Sequence, residues 1–391
     1  MKVLVVGGGS GGHVTPVLAV VREIRKVQPR AKIEFWTDKK YYKNARKLCV
    51  ENGVDLRIRK VAAGKLRRYT NFTFLMYLQH FDVILKNIID IFKNIGGLFQ
   101  SFFRLMLDRP DVIFFKGGFV CLPVGQAAKI LRIPYVIHDS DASPGLTNRL
   151  LARKATKIAT GMPLEYYSYP ADKAEWTGIP ISENFKPVST AKQRSLKKEL
   201  GFNPDELLLV VTGGSLGAEH INIAIREVLP SLLKFTSVML VAGRERYPEM
   251  IDLKEFEKWE NGKLASNFRM VEFSGEMWKL FGAADIVVSR AGASTMTELS
   301  SMAKAVVMVP NEKLPGYHQV KNARAYEKAN AAIVVEDNIM HEDPEKLLAA
   351  IRKLAKNEEL RDELSKNLRS FIKDNAAENL ANTVISVARD K

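Results

Sequence analysis

The chain has 391 residues, 46% of them hydrophobic and 26% charged. This composition excludes a disordered chain, and the length allows two domains with cores of their own. Two cysteines, Cys49 and Cys121, exclude a disulfide framework and favour a reducing compartment. The formal net charge of +15 favours an anionic partner, either nucleic acid or an anionic membrane surface. No nucleic-acid-binding motif is present, so we expect no nucleic acid partner.

The first element is a buried strand, Val3–Val6, and it leads directly into a glycine-rich loop. The run is too short for a signal peptide. Gly7, Gly9 and Gly12 match the pattern GxGxxG, and a helix with apolar positions on one side follows over residues 14–25. A strand, a glycine loop and a helix N-terminus together predict a phosphate site. A purely structural glycine turn is the alternative.

The ligand of this loop stays open on these residues alone. Asp38 follows a second strand, residues 32–36, where a dinucleotide-binding domain places its ribose ligand. A sugar nucleotide or another phosphate-bearing molecule would use the same glycines.

Strands and helices alternate through the first half, which predicts a parallel sheet with helices on both faces. The further strands are predicted at residues 56–61, 111–115 and 135–138, and a long helical segment at about 72–107. After Gly178-Ile179-Pro180 the pattern restarts with a strand at 207–211 and a second glycine loop, "TGGSLGAEHIN". Strands at 237–241, 269–273, 285–288 and 305–309 follow, and helices from Pro344 onward.

Two halves that each begin with a strand, a glycine loop and a helix predict two similar α/β domains. We expect doubly wound parallel sheets that face each other across a cleft, with ligands at the carboxyl ends of the strands. The predicted domains are residues 1–180, with a C-terminal helix at about 374–391 that packs back on them, and residues 181–373.

Five motifs in chain order resemble the MurG family, the UDP-N-acetylglucosamine–N-acetylmuramyl-(pentapeptide) pyrophosphoryl-undecaprenol N-acetylglucosamine transferases. They are "GGGSGGHVTP", "HDSDASPGLTNRLLA", "TGGSLGA", "SRAGASTMTELSSM" and "HQVKNARAYEKANAA". The resemblance implies a GT-B fold of two Rossmann-like domains and inverting transfer of N-acetylglucosamine from UDP to the muramyl C4 hydroxyl of lipid I, which gives lipid II. It also implies no metal or other cofactor, a peripheral position on the cytoplasmic face of the membrane, and other cell-wall synthesis proteins as partners.

The resemblance places an acceptor site in the first domain and a donor site in the second. Its acceptor-diphosphate residues here are Gly9, Ser10, Gly11, Gly12, Gly117, Gly118 and Phe119. Its donor residues here are Asp141, Ser182, Gly213, Gly214, Ser215, Ser274, Ala293, Ser294, Thr295, Glu298, His318, Gln319 and Asn322. His13 and Asp139 are the candidate catalytic residues, and which of them is the general base stays open.

The residue types suit these roles. The imidazole of His13 titrates near neutral pH and can take a proton from a hydroxyl. The carboxylate of Glu298 can accept hydrogen bonds from two ribose hydroxyls. Polar side chains at 318, 319 and 322 lie around one helical end, where the family reads sugar hydroxyls. The alternatives are a loop-holding histidine, an exposed glutamate and an ordinary polar helix start.

Some positions depart from the family pattern. Asp139 and Asp141 form a "DSD" spacing that would suit a metal-bound nucleotide sugar, although the family has His-Glu-Gln-Asn here and uses no metal. The family often has an arginine near Ser182, a glutamine at the position of Leu216 and a tyrosine at that of Phe119. Lys116 could supply a missing positive charge.

The segment 65–107 combines apolar side chains with cations, as an interfacial protein requires. Charged residues interrupt it, so no apolar stretch is long enough to span a bilayer. Core packing against the sheet is the alternative to membrane contact. The residues that we assign to membrane contact are Lys65, Arg67, Arg68, Phe72, Phe74 and Leu75.

Four functions remain to be compared. They are transfer to lipid I, a related glycolipid synthase, a UDP-sugar 2-epimerase, and a membrane-bound sugar-nucleotide sensor without activity. A dehydrogenase fits poorly, because it needs only one glycine loop and no second half of the same build.

Overall fold

The computed structural model describes residues 1–8, 11–66, 81–214, 217–258 and 267–390. Two compact units divide the chain: unit 1 is residues 1–181 with 373–391, and unit 2 is residues 182–372. Each unit is built around a parallel sheet with helices, and each is described by itself below.

The described sheet of unit 1 has seven strands. They are β1 (Lys2–Gly7), β2 (Lys32–Asp38), β3 (Arg57–Val61), β4 (Val112–Gly117), β5 (Tyr135–Asp139), β6 (Lys157–Thr160) and β7 (Ala174–Trp176). Their spatial order is β3-β2-β1-β4-β5-β6-β7, and all neighbouring pairs are parallel. The helices are α1 (Gly11–Val27), α2 (Tyr42–Glu51), α3 (Phe81–Leu107), α4 (Cys121–Ile130) and α5 (Leu146–Ala152). A 3-10 turn occupies Leu164–Tyr166.

Unit 2 repeats this plan with a described sheet in the order β10-β9-β8-β11-β12-β13. The strands are β8 (Leu208–Thr212), β9 (Ser237–Val241), β10 (Phe268–Val271), β11 (Ile286–Ser289), β12 (Ala305–Met308) and β13 (Ile333–Val334). The helices are α6 (Thr190–Glu199), α7 (Glu219–Leu232), α8 (Met277–Ala283), α9 (Ala293–Ser301), α10 (His318–Lys328), α11 (Asp337–Glu342), α12 (Glu345–Lys356) and α13 (Glu358–Arg369). 3-10 turns cover Tyr247–Lys258 and Pro315–Tyr317.

The predicted class of two doubly wound parallel sheets is confirmed. The strands predicted from apolar runs are present, because residues such as Val3, Phe114 and Val210 are completely buried between two helical layers. Strands β6, β7 and β13 are not among the strands predicted from the sequence. These strands have four, three and two residues, and such short segments carry too little pattern to be recognised.

The last helix of the chain, α14 (Ala376–Arg389), belongs to unit 1. Leu380, Ala381 and Val384 are completely buried in the same apolar cluster as Val17 and Val20 of α1. Helix α1 is therefore covered on two sides, by the sheet and by α14. This explains why its buried positions extend beyond one narrow stripe.

Helix α3 packs against the rest of unit 1 through the side that contains Gly97. A Cβ at Gly97 would come within 1.8 Å of the Ala62 carbonyl oxygen, so the helix lies directly on the segment that follows β3. Asn94 fastens the contact, because its amide exchanges hydrogen bonds of 3.0 and 3.1 Å with the backbone of Gly64. Within the described part of the predicted 72–107 segment, Phe81–Leu107, one face is thus core.

The opposite face of α3 is apolar and exposed. Phe92 is 68% exposed and Phe99 58%, and the other exposed apolar side chains on this helix are Leu85, Ile88, Ile89, Ile91, Ile95, Phe103, Met106 and Leu107. In the described part of the chain, no helix is both long enough and apolar enough to cross a bilayer. Lys65 is exposed, whereas Arg67, Arg68, Phe72, Phe74 and Leu75 lie outside the described residues.

Candidate active site

The order of strands reverses between β1 and β4 in unit 1, so the crevice at their carboxyl ends is the expected ligand site. The turn after β4 contains Gly117 and Gly118, with φ of 110° and 89°, which favour glycine. A Cβ at Gly8, after β1, would come within 2.6 Å of the Asp38 carboxylate. Both loops therefore bring bare backbone to this crevice, as close approach to a phosphate requires.

The other residues that are predicted to bind the acceptor diphosphate are only partly described. Gly11 and Gly12 begin α1 and His13 is its third residue, so their backbone N–H groups belong to the first turn of a helix. Gly9 and Ser10 lie outside the described residues, as does the side chain of His13. Phe119 follows the Gly117–Gly118 turn and is half-buried.

The carboxylate of Asp139 is held by two neighbouring side chains at the end of β5. It is 5% exposed and accepts hydrogen bonds from the Asn148 amide at 2.7 Å and from the Tyr169 hydroxyl. Burial raises the pKa of Asp139, and the two hydrogen bonds oppose that rise. A buried carboxylate engaged in this way is suited to positioning a loop rather than to accepting a proton from substrate.

Neither partner of Asp139 was found by the sequence analysis. Asn148 lies within the quoted "SPGLTNRLLA" motif, which is a weak signal. Tyr169 is 30 residues away from Asp139 in the chain, and no pattern connects the two.

Lys116 of β4 is buried beside the same loop, 2% exposed. Its Nζ lies 2.5 Å from the hydroxyl of Ser140, which stands between Asp139 and Asp141. Burial lowers the pKa of Lys116 to about 8, and the neighbouring charges of Asp141 and Asp139 oppose that decrease. The "DSD" motif therefore faces a cation from the adjacent strand.

Unit 2 has its own reversal of strand order, between β8 and β11. The second glycine loop follows β8 there. A Cβ at Gly213 would come within 2.2 Å of the backbone nitrogen of Ala218, and Gly214 has a φ of 88°. The loop leads into the N-terminus of α7, where backbone N–H groups are available to an anion. Ser215 and Leu216 lie outside the described residues.

A second helix N-terminus lies at the same edge of the sheet. Helix α9 follows β11 and begins with Ala293, Ser294 and Thr295, all half-buried. Its N-cap residue, Gly292, has no side chain to satisfy the first N–H groups. An anion bound at this crevice would meet the first turns of both α7 and α9.

Glu298 lies one turn further along α9. Burial raises the pKa of Glu298 to about 8, and no neighbouring cation or donor offsets that cost within the described chain. A half-buried carboxylate without such compensation is costly in a folded protein. This arrangement is typical of a ligand-binding position rather than of an exposed glutamate.

The predicted sugar-reading residues lie in different environments. His318 begins α10 next to Gly316 and Tyr317, which have φ of 77° and 53°. The Nδ1 of His318 has no hydrogen-bond partner among the described atoms. The Gln319 carbonyl oxygen accepts the N–H of Asn311 at 2.9 Å. At this helical end, His318 thus has a buried ring nitrogen without a partner among the described atoms, whereas the side-chain oxygen of Gln319 is already engaged.

Asn322 is placed differently, because it is 1% exposed. Its amide donates to the Ala291 carbonyl at 3.0 Å and so holds the loop that precedes α9. The structure therefore favours a positioning role for Asn322 over direct sugar contact.

The other donor candidates lie on loops. The Ser274 hydroxyl, after β10, accepts the N–H of Glu276 at 3.1 Å. The sequence analysis missed a neighbouring stack, in which the Arg244 guanidinium lies 4.0 Å from the ring centroid of the exposed Phe273. The hydroxyl of Ser182, at the start of unit 2, accepts the N–H of Asn184 at 3.4 Å. Asp141 and Ser140 lie on the loop after β5 of unit 1.

The described residues contain no group of three or more histidine, cysteine or acidic side chains arranged to hold a metal ion. The expectation that no metal takes part stays a prediction.

Family models match both units. The glycosyltransferase family 28 N-terminal domain matches residues 3–160, and the glycosyltransferase family 28 C-terminal domain matches residues 208–382. The two glycine loops, at residues 7–12 and 213–217, fall one in each matched range.

Curated relatives match over almost the full length. A Clostridium kluyveri protein is 33% identical over 90% of this chain and 91% of its own length. A Thermoanaerobacter sp. protein is 31% identical over 99% of this chain and 100% of its own length. Both are named UDP-N-acetylglucosamine–N-acetylmuramyl-(pentapeptide) pyrophosphoryl-undecaprenol N-acetylglucosamine transferase.

Solved structures support the fold. Acinetobacter baumannii MurG has a TM-score of 0.75 at 22% identity, over 98% of this chain and 99% of that chain. A Neisseria meningitidis UDP-GlcNAc 2-epimerase has a TM-score of 0.65 at 12% identity, over 99% and 100%. These neighbours confirm the expected GT-B class. From the curated relatives and the two domain models, the chain belongs to the MurG family of glycosyltransferases.

Proposed function

We propose that this chain transfers N-acetylglucosamine from UDP-N-acetylglucosamine to the muramyl C4 hydroxyl of a pentapeptide-bearing, pyrophosphoryl-undecaprenol-linked acceptor. The observation that carries the proposal is the duplicated phosphate site. Each unit has a glycine turn and a helix N-terminus at its point of strand reversal, so the molecule can bind two phosphate-bearing substrates. The relatives' names include two such substrates, UDP-N-acetylglucosamine and a pyrophosphoryl-undecaprenol-linked N-acetylmuramyl-pentapeptide.

The donor is bound by unit 2 in this proposal. The first turns of α7 and α9 hold the UDP diphosphate, and they stabilise the negative charge that develops when the bond from the anomeric carbon to the phosphate oxygen breaks. Glu298 accepts hydrogen bonds from the two ribose hydroxyls, which explains a half-buried carboxylate with no compensating neighbour. His318 and Gln319 contact the sugar.

The acceptor is bound by unit 1. The loops after β1 and β4 hold its diphosphate, and the acceptor oxygen attacks the anomeric carbon from the face opposite to UDP. The hydroxyl proton must pass to a base as the new bond forms. We assign this proton to His13 and not to Asp139, because the Asp139 carboxylate is already engaged by Asn148 and Tyr169.

The exposed face of α3 is the membrane-contacting surface in this proposal. Its side chains include Phe92, Phe99 and Phe103, and they lie along one side of a helix whose other side is anchored in unit 1. Exposed apolar area of this extent on one face is unusual for a surface that meets only water. A helix lying in the headgroup region suits an acceptor that carries a polyprenyl chain, and the net charge of +15 favours anionic lipid.

An assay with labelled UDP-N-acetylglucosamine tests the activity. We expect label to enter lipid I in vesicles, with release of UDP. This transfer should continue in excess EDTA. The same donor with diacylglycerol tests a glycolipid synthase, and the donor alone tests 2-epimerisation. Label in diacylglycerol, or a 2-epimer formed without acceptor, would overturn the proposal. Turnover that is lost on chelation and restored by Mg²⁺ or Mn²⁺ would instead indicate a metal at Asp139 and Asp141.

A further inference from the structure

The loop of residues 140–145, between β5 and α5, is held at both of its ends. At the far end, the N–H of Gly145 points to the Asp139 carboxylate at 3.4 Å. At the near end, the only side-chain hydrogen bond to Ser140 in the described chain comes from Lys116 at 2.5 Å. A Cβ on Gly161 would lie 3.1 Å from the Cα of Ser140, so the residue that follows β6 packs against Ser140. The position of this loop thus depends on a lysine from the neighbouring strand.

Lys116 is an expensive residue to bury. It is 2% exposed, and taking its ammonium out of water disfavours the charged form. In the described chain its hydrogen-bond partner is a hydroxyl and not a carboxylate, although an ammonium has three donors. A methionine or leucine would fill the same space at lower cost. The charge itself therefore requires an explanation beyond packing.

The location of Lys116 supplies one. The residue directly precedes the Gly117–Gly118 turn, and β4 borders the point of strand reversal where the proposed acceptor diphosphate binds. The charged and titratable groups that act on its ammonium are Asp139 and Asp141 from the β5 side and Cys121 from α4. Asp141 is on the 140–145 loop itself, and its charge has the larger effect on Lys116 of the two carboxylates.

We propose that Lys116 is a positioning residue for the acceptor. By holding Ser140 and balancing the charge of Asp141, it keeps the 140–145 loop beside the Gly117–Gly118 turn, and thereby sets the affinity for the diphosphate-bearing acceptor. This inference rests on the proposed function. It assigns to Lys116 no contact with the reacting atoms, so the chemical step continues when Lys116 is replaced, provided that acceptor is saturating.

The test is a steady-state comparison of the full-length parent with Lys116→Met, using lipid I in vesicles and UDP-N-acetylglucosamine. We expect the KM for lipid I to rise about 10- to 100-fold, as for loss of a charge-assisted hydrogen bond. The KM for the donor should rise by a clearly smaller factor, because Asp141 is the donor candidate on this loop and the other donor candidates lie in unit 2. Ser140→Ala should raise the acceptor KM in the same direction by a smaller factor. The matched control is Lys304→Met, because Lys304 is also buried with its pKa lowered to about 8, but it lies in unit 2.

A pH series distinguishes positioning by charge from simple packing. Because the pKa of Lys116 is about 8, the parent's acceptor KM should rise above that pH at saturating donor, and that of Lys116→Met should not. If Lys116→Met does not fold, Ser140→Ala decides the question by itself. An unchanged acceptor KM in the variants that fold, or an equal loss for donor and acceptor, would overturn the inference. A parent that transfers nothing to lipid I would overturn the proposed function, and this inference with it.

Discussion

The ionisation of Glu298 should control the affinity for UDP in the proposed donor site. Its pKa of about 8 means that the free protein at neutral pH carries a largely protonated Glu298. Two ribose hydroxyls require the ionised form as a double acceptor, so binding releases a proton below that pH. We predict that UDP affinity rises about 20-fold between about pH 6.5 and about pH 8.5 and then levels off.

Calorimetry of UDP binding in buffers of different ionisation enthalpy would measure both the affinity and the released proton. Glu298→Gln, which cannot ionise, should bind weakly and without this pH dependence. A parent whose UDP affinity is flat over the same range would remove Glu298 from the ribose site.

His13 is the residue on which the proposed proton transfer depends. Its place in the first turn of α1, in unit 1, predicts that His13→Ala reduces transfer by about 10²- to 10⁴-fold, because the general base is lost. UDP affinity should stay close to that of the parent, because we place most of the donor site in unit 2. Rapid-quench turnover at saturating substrates, together with calorimetry of UDP, separates the two effects. A parallel loss of UDP binding and turnover would indicate a structural residue.

Helix α3 is core on one side and exposes apolar side chains on the other, where we propose membrane contact. Its exposed apolar side chains are not part of the core, so replacing them tests membrane binding and not core packing. We predict that replacing Phe92 and Phe99 together by serine weakens binding to anionic vesicles about tenfold or more, with folding and UDP affinity unchanged. Vesicle sedimentation at low and high salt is the measurement.

The salt dependence of vesicle binding distinguishes electrostatic attraction from apolar insertion. Salt should weaken the parent's binding without abolishing it, because apolar insertion is not screened. The double variant should lose a larger share of its binding at high salt, where the cations contribute less. Val50→Ser, an exposed apolar residue on α2 that is 76% exposed, is the matched control. A double variant that sediments like the parent would place the membrane surface elsewhere.

The stability of unit 1 depends on both ends of the chain, because the C-terminal helix α14 packs in unit 1. We predict that Leu380→Ala destabilises unit 1 by about 2–5 kcal/mol, because a cavity forms in the apolar cluster that α14 shares with α1. UDP binding should survive, since residues 182–372 form the other unit. Urea unfolding followed by far-UV circular dichroism, with and without UDP, measures this.

Leu354→Ala is the counterpart in unit 2, where Leu354 is completely buried. It should destabilise the unit to which we assign UDP binding, and so change the UDP-dependent part of the unfolding curve. A Leu380→Ala protein as stable as the parent would show that α14 adds little to unit 1.

Comparison of whole folds separates fold from function. A UDP-GlcNAc 2-epimerase matches this chain over 99% of its length with a TM-score of 0.65, so the architecture alone does not choose between transfer and epimerisation. The choice comes from the ordered motifs and from the 31–33% identity to the curated transferases. The family is therefore assigned from sequence similarity and not from the fold.

The sequence by itself determined the two-domain parallel-sheet class, because strands such as β1 and β8 are uninterrupted apolar runs that lead into glycine turns. It also predicted a binding role for Glu298 and for the helix N-terminus before it, through the resemblance of "SRAGASTMTELSSM" to the family motif. Only the tertiary structure decided the partners of Asp139 and Asn322. Both are polar residues in expected motifs, and they make hydrogen bonds to Tyr169 and to the Ala291 carbonyl, respectively. Those contacts join segments far apart in the chain, and no periodicity or spacing encodes which buried polar group meets which partner.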